Sequence, residues 1–407
     1  MYGLLGRKLS HSLSPQIHSL LCDYEYKLYP TEPEMLDEFF DSKRLKGFNV
    51  TIPYKVEAYN RCAELSETAK KAKSVNTVVR KPDGSLYGDN TDYYGFLYMA
   101  QKCGCDFKGK KTLILGNGGA SQTVQLVAAD EGAGEIVVVS RSGENNYQNI
   151  DRHYDADIIV NTTPVGMYPN NGQRLIDLSK FTKCKKVLDL IYNPARTLLL
   201  LDAQKLGIDC INGLTMLVAQ AVRAAEIFSG KKIADEKIDK VHNAILNNQK
   251  NVAFIGMPGC GKSTITALLS QKIGRPCVDT DAVIEECGEK IPEIFEKYGQ
   301  NEFRDREEKA VRAVAKEQGQ IIATGGGAIL RDANRIALRE NSTVIFLNAP
   351  LERLATGGRP LSAGGISALE KLHNERLPLY LETADITVEV DPDPEITLRR
   401  ILECISL

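Results

Sequence analysis

The run Gly256-Met-Pro-Gly259-Cys260-Gly261-Lys262-Ser263-Thr264 holds glycines, a lysine and a hydroxyl at the spacing of a phosphate cradle. It follows a short apolar run, Val252-Ala-Phe-Ile, and opens a helical pattern, which is the context such a loop needs. The glycines let backbone N–H groups wrap a β-phosphate, and the helix N-terminus adds a favourable dipole. Lys262 is expected at the β/γ oxygens and the Ser263 hydroxyl on Mg²⁺. Gly259, Cys260, Gly261, Ser263 and Thr264 are the expected contacts to a nucleotide's phosphates. Downstream, Asp279 and Asp281 stand one residue apart after a short strand-like run. There Asp279 would hold the metal through water, and Asp281 would face an acceptor hydroxyl as base or orienter. Read alone, Asp-Thr-Asp fits a surface turn as well.

A second glycine-rich turn, Gly116-Asn117-Gly118-Gly119-Ala120-Ser121, also stands between a strand-like run and a helical pattern. It is a variant of the dinucleotide fingerprint, with Gly116 for the turn, Gly118 for pyrophosphate approach and Ser121 at the small packing position. The next strand-like run, Ile136-Val-Val-Val139, ends in Ser140-Arg141-Ser142. Sites for NAD usually carry an acid there, whereas a cation and hydroxyls suit a 2′-phosphate, so NADP(H) is favoured on charge. Between Arg141 and the strand-like run at Ala156–Asn161 only about fifteen residues intervene, and Gly143-Glu-Asn-Asn-Tyr-Gln-Asn-Ile is too polar and short for the usual crossover helix. The adenosine side of the cofactor site is therefore expected to be open.

The elements that must position these groups read as α/β throughout. Thr112–Gly116, Val252–Gly256 and Ile321–Gly325 look like buried parallel strands ending in glycine turns, where ligands bind. A polar helical stretch at Ala234–Gln249 precedes the strand beginning at Asn251, which puts the main boundary at 249/250. The 407 residues are 43% apolar and 26% charged, with net charge −2, which gives no electrostatic footprint for nucleic acid or an anionic membrane. No signal-peptide pattern or spanning apolar run is seen, and the ten cysteines lack metal-site spacing. Reduced thiols and a cytoplasmic location are the reading.

With Glu302-Phe-Arg304, Ala323-Thr-Gly-Gly326-Gly, Arg359-Pro-Leu and Asn374-Glu-Arg376-Leu-Pro-Leu-Tyr380, the region 250–407 resembles shikimate kinase. The resemblance implies a P-loop nucleoside-monophosphate-kinase-like domain that uses ATP and Mg²⁺. Asp281, Arg304, Gly326 and Arg376 fall on the family's shikimate-binding positions, and Arg359 on its lid arginine. A carboxylate ligand suits arginines and vicinal hydroxyls suit an aspartate. The lid looks shortened, with Ala355 near where the family has a basic residue against adenine, so looser discrimination among nucleotides is expected.

Residues 1–249 resemble shikimate dehydrogenase. The likeness rests on Ser10-His-Ser12-Leu-Ser14-Pro, Gly47-Phe-Asn49-Val-Thr51-Ile-Pro-Tyr-Lys55, Ser74-Val-Asn76, Gly88-Asp-Asn-Thr-Asp92, Asp189-Leu190-Ile-Tyr192 and Asn212-Gly213-Leu-Thr-Met-Leu-Val-Ala-Gln220. The resemblance implies a substrate subdomain at about 1–100 and 214–249 and a Rossmann-like NADP-binding subdomain at about 101–213. Ser12, Ser14, Asn49, Thr51, Asn76, Tyr192 and Gln220 would hold the substrate, and Lys55 and Asp92 would be the catalytic pair. Cofactor contacts would come from Gly116, Asn117, Gly118, Gly119, Ala120, Ser140, Arg141, Ser142, the Leu190 backbone and Gly213. His11 is not nominated.

Together the resemblances imply successive steps of aromatic biosynthesis: reduction of 3-dehydroshikimate to shikimate, then phosphorylation of its 3-hydroxyl. The partners are those small molecules, with neither nucleic acid nor membrane, and an oligomer is not predicted. Two alternatives stay open. One is a quinate or polyol-acid dehydrogenase fused to another small-molecule kinase. The other makes one half a regulatory or binding module without catalysis.

Overall fold

Short β-branched runs alternating with amphipathic helices produce three sheets. The computed structural model describes residues 1–10, 12–354 and 365–405, apart from the side chains of 365 and 366. Two compact units are present: 1–167 with 173–192 and 199–245, and 246–407 with the short segments 168–172 and 193–198.

The first unit holds two sheets. In one, strands β1 (Tyr2–Gly6), β2 (Tyr26–Pro30), β3 (Gly47–Val50), β4 (Glu64–Leu65), β5 (Thr77–Arg80) and β6 (Leu86–Asp89) lie in the order β2-β1-β3-β5-β6-β4. β5 runs antiparallel to both β3 and β6 while the other pairs are parallel. The second sheet is parallel throughout: β7 (Lys111–Leu115), β8 (Glu135–Val139), β9 (Ile158–Asn161), β10 (Lys186–Asp189) and β11 (Asp209–Asn212), ordered β11-β10-β9-β7-β8. The chain reverses direction across this sheet between β7 and β9, and a crevice for ligand forms beyond the carboxyl ends of such strands. Helices Thr91–Lys102 and Leu214–Ser229 lie so close that a Cβ on Gly95 would come within 2.7 Å of the Met216 carbonyl and 2.9 Å of Gln220 Cβ.

The second unit is built on β12 (Asn251–Ile255), β13 (Cys277–Asp279), β14 (Ile321–Ala323), β15 (Ser342–Asn348) and β16 (Ile386–Glu389), all parallel and ordered β13-β14-β12-β15-β16. β12 is buried end to end, as expected of a central strand covered on both faces. Its core gathers Phe254, Leu269, Val311, Phe346 and Tyr380. The carboxyl ends of β12, β13 and β14 deliver the phosphate loop, Asp279 and the glycine loop 325–327 to one edge. The crossover from β8 to β9 contains only a 3₁₀ turn, Ile150–His153, in agreement with the sequence. Asn146 and Asn149 wind it through side-chain bonds to neighbouring backbone groups. The Arg359 lid and Ala355 lie outside the described residues, as does His11.

Candidate functional site

In the first unit Lys55 opens the helix Lys55–Arg61 directly beyond β3, and Asp92 sits in the first turn of Thr91–Lys102. Lys55 Nζ lies 2.5 Å from Asp92 Oδ2. Asn76 donates from Nδ2 to Asp92 Oδ1 at 2.9 Å, and its own Oδ1 accepts the Thr91 N–H at 2.7 Å. The carboxylate is thus held from both sides, which fixes the ammonium beside it. Asn49 donates to the Asn76 carbonyl and to Thr77 Oγ1, while Tyr26 donates its hydroxyl to Asn49 Oδ1 at 2.7 Å. Gln220 receives the Thr91 hydroxyl at 3.4 Å. Ser12 Oγ accepts the Ser14 N–H at 3.3 Å, and Thr51 is tied to β1 through Leu5. Gly6 lacks the side chain that would strike Thr51 Cγ2 at 2.6 Å. Tyr192 follows β10 and is half-buried, and burial raises its phenol above the usual range.

The dinucleotide turn has the shape the fingerprint demands. Gly116 takes φ 106°, and a Cβ there would meet Thr162 Oγ1 at 2.8 Å, so the ends of β7 and β9 close on each other. Gly118 and Gly119 face open space, and Asn117 and Ala120 are exposed beside them. At Gly213 a Cβ would lie 2.0 Å from the Leu190 carbonyl, so that approach requires glycine. Arg141 and Ser142 are exposed just beyond β8, and Ser140 is tied back to Asn145. An open glycine turn at a helix N-terminus with an exposed cation one strand away fits a dinucleotide carrying a 2′-phosphate.

In the second unit Gly256, Gly259 and Gly261 all have positive φ, which curls the loop's N–H groups inward. Lys262 Nζ is bonded to the Gly256 and Met257 carbonyls at 2.9 and 3.0 Å. The Cys260 side chain is buried in the core, so this residue can serve a phosphate only through its backbone N–H. Thr264 is exposed on the helix Lys262–Ile273. Ser263 Oγ lies 3.0 Å from Asp279 Oδ2, two hard oxygen donors suited to Mg²⁺ with phosphate and water completing the shell.

Beside them the glycine loop is compressed on three sides. A Cβ at Gly325 would stand 2.6 Å from Asp281 Oδ1, one at Gly326 2.6 Å from Pro258 Cγ, and one at Gly327 2.5 Å from the Arg304 guanidinium. Arg376 and Tyr380 both donate to the Gly326 carbonyl, at 2.9 and 2.6 Å. Arg304 Nη1 meets Glu307 Oε2 at 2.6 Å, with Glu307 only 1% exposed. Burial pushes Asp281 up to about 6, helped by the Asp279 and Glu307 charges and opposed by Lys262 and Arg304. Asp281 Oδ1, Glu307 Oε1 and Arg304 Nε are buried without partners among the described residues. Such orphaned atoms at one spot mark a place where a polar ligand completes the bonding.

Five side chains in these networks were not foreseen. Tyr26, Thr77 and Thr91 support Asn49 and Asn76, and Glu307 holds Arg304. His18 is buried, stacked on Tyr26 with ring centroids 3.9 Å apart, and burial drives its imidazole down to about 3. Only Glu307 left a signal, an acid three residues after Arg304 on a helical pattern. Glu307→Ala should strand the Arg304 charge and lower stability by about 3–5 kcal/mol. Glu307→Gln should recover most of the thermal midpoint while the acceptor KM stays raised. Thermal melts paired with kinase KM values check both outcomes.

A doubly sided parallel sheet with a dinucleotide turn, beside a Lys–Asp pair, defines a nicotinamide-type oxidoreductase; the P-loop sheet defines a kinase. Residues 4–78 match the family model for the shikimate dehydrogenase substrate binding domain, and 258–406 that for shikimate kinase. The shikimate dehydrogenase (NADP(+)) of Clostridium perfringens SM101 is 35% identical over 266 residues, spanning 60% of this chain and 98% of that protein. A chorismate mutase/shikimate 5-dehydrogenase fusion from Clostridium acetobutylicum aligns at 36% identity and TM-score 0.57, over 60% of this chain and 96% of its own. Quinate dehydrogenase from Corynebacterium glutamicum, solved with NAD, aligns at 25% identity and TM-score 0.55, over 60% and 98%. The chain belongs to the shikimate dehydrogenase family and carries a shikimate kinase domain behind it, a bifunctional enzyme of the shikimate pathway.

Proposed function

We propose that the first unit reduces 3-dehydroshikimate to shikimate with NADPH and the second transfers a phosphoryl group from Mg-ATP to the hydroxyl so formed. The reading is carried by one observation. The first unit gathers hydroxyl, amide and ammonium groups around Asp92, and the second gathers Arg304 and Arg376 beside Asp281 and the glycine loop, the groups that a small polyhydroxylated acid needs. Bound NADPH supplies hydride to the ketone carbon, and the developing alkoxide is met by Lys55, which stabilises the charge and gives up a proton. Asp92, braced by Asn76, keeps the ammonium aimed. Ser12, Ser14, Asn49, Thr51, Asn76, Tyr192 and Gln220 orient the ring. In the second unit Arg304 and Arg376 hold the carboxylate, and Asp281 takes the proton of the attacking hydroxyl. Bound Mg-ATP supplies the phosphoryl group, with Lys262 beside the charge that develops in transfer and Ser263 and Asp279 on the metal. The Arg359 lid contact belongs to the same proposal.

The test is a one-pot assay with 3-dehydroshikimate, NADPH and Mg-ATP, following NADPH loss and ADP release. Both signals are expected, ADP release lagging behind NADPH loss. Oxidation of quinate at a rate equal to shikimate would instead favour the polyol-acid reading. For the cofactor, Arg141→Ala should raise KM for NADPH about tenfold or more, the worth of charge-assisted bonds to a phosphate, and spare NADH. An equal change in both would remove Arg141 from the 2′-phosphate.

A further inference from the structure

The first turn of the helix Thr91–Lys102 also forms the wall of a cavity of about 420 Å³, whose lining shares only Thr91 with the network around Asn76 and none of the side chains placed on substrate, cofactor or phosphate. Asp89 and Asn90 belong to that lining and are almost wholly buried, 6% and 2% exposed. Asp89 Oδ1 accepts from Ser66, Thr68 and the Asn90 N–H, but Oδ2 has no partner and no cation pairs with Asp89 among the described residues. The Asn90 amide is turned to Ser74, its Nδ2 donating to the Ser74 carbonyl and hydroxyl. The buried Asp89 carboxylate therefore keeps one oxygen as an acceptor for a donor in the cavity.

The same lining carries the opposite charge. Arg223 gives only Nη1 to Glu226, at 2.9 Å, and its Nε and Nη2 have no partner among the described residues. Lys232 reaches Glu226 at 3.4 Å from an exposed position. Glu226 is occupied further by the Ile233 N–H, so it is already neutralised. Tyr93 and Tyr94 have their hydroxyls turned to Asp130 and Asp235, and Ile233 adds apolar lining. The lining therefore carries both a donor-seeking carboxylate and an acceptor-seeking guanidinium, with two aromatic side chains beside them.

We propose that this cavity binds an α-amino acid with an apolar or aromatic side chain in its zwitterionic form. The ammonium meets Asp89 Oδ2, the carboxylate meets the Arg223 fork and Lys232, and the side chain lies along Tyr93, Tyr94 and Ile233. A lone cation would leave Arg223 unused, and a lone anion would leave Asp89 unpaired. The site is independent of the two reactions proposed above, so it is tested by binding alone.

The experiment is isothermal titration of the full chain with L-phenylalanine, phenethylamine and 3-phenylpropionate. L-phenylalanine should bind saturably at one site, and each analogue, lacking one charged end, at least about tenfold more weakly. Arg223→Gln should weaken L-phenylalanine about tenfold and leave phenethylamine unchanged; Asp89→Asn should do the reverse with 3-phenylpropionate as the insensitive probe. Asp89 also anchors Ser66 and Thr68, so if Asp89→Asn fails to fold, the Arg223 variant on a half-exposed helical position decides. No saturable heat up to about 10 mM L-phenylalanine, analogues binding as tightly as the amino acid, or unchanged affinity in Arg223→Gln would each overturn the assignment.

Discussion

Lys55→Met should lower the kcat of ketone reduction by about 10²- to 10⁴-fold and leave phosphorylation of added shikimate unchanged. Methionine keeps most of the aliphatic stem and removes the ammonium, so the loss reads the charge and the proton rather than packing. The Lys55–Asp92 pair is 29% and 16% exposed, which makes its dissolution tolerable to the fold. Asp92→Asn supplies the second measurement. It retains an oxygen for Lys55 and removes the negative charge, so turnover should fall by less than in Lys55→Met while cofactor KM holds. A Lys55→Met enzyme with near-normal turnover at saturating substrate would move the proton donor elsewhere. Equal loss in KM alone would make Lys55 a substrate clamp.

The Lys55–Asp92 pair joins residues thirty-seven apart and was expected only through the resemblance to shikimate dehydrogenase; what the sequence specifies by itself is local. The glycine turns, the strands at 111–115, 251–255 and 321–323 and the helix at 236–249 are local, each fixed by a short run of residue types. The Asn76 brace on Asp92 joins residues sixteen apart, and its partner Asn49 lies across β3 and β5. Tyr26 reaches Asn49 only because β1 stands between β2 and β3. Nothing in a single sequence encodes that order of strands. The close approach of Gly325, Gly326 and Gly327 to three different side chains is equally non-local, though three consecutive glycines announced that something would come near. The short β8–β9 crossover was legible because polarity and length alone forbid a helix there.

The second large effect lies at Asp281, where geometry and protonation meet. Its Oδ1 is buried without a partner, 2.6 Å from the space a Cβ on Gly325 would take, and burial has raised its carboxyl to about 6. The active form of a base is the ionised one, so acidification removes activity and alkaline pH does not restore any further gain. The kcat/KM for shikimate should hence be level above about pH 7 and fall about tenfold per unit below about 6, since this ratio reports the free enzyme. An ordinary exposed aspartate would put that limb near 4. Asp281→Asn should lower kcat by about 10²- to 10⁴-fold and flatten the limb, with ketone reduction untouched. Flattening is the discriminating outcome, because a merely structural aspartate would reduce the rate and leave the limb where it was. A limb that persists at the same pH in Asp281→Asn would pass the titration to Glu307, whose carboxyl burial also raises and which faces the same glycine. The two acids are then separated by Glu307→Gln, which abolishes the limb if Glu307 owns it and only moves it to lower pH if Asp281 does, because the Glu307 charge helps to raise Asp281.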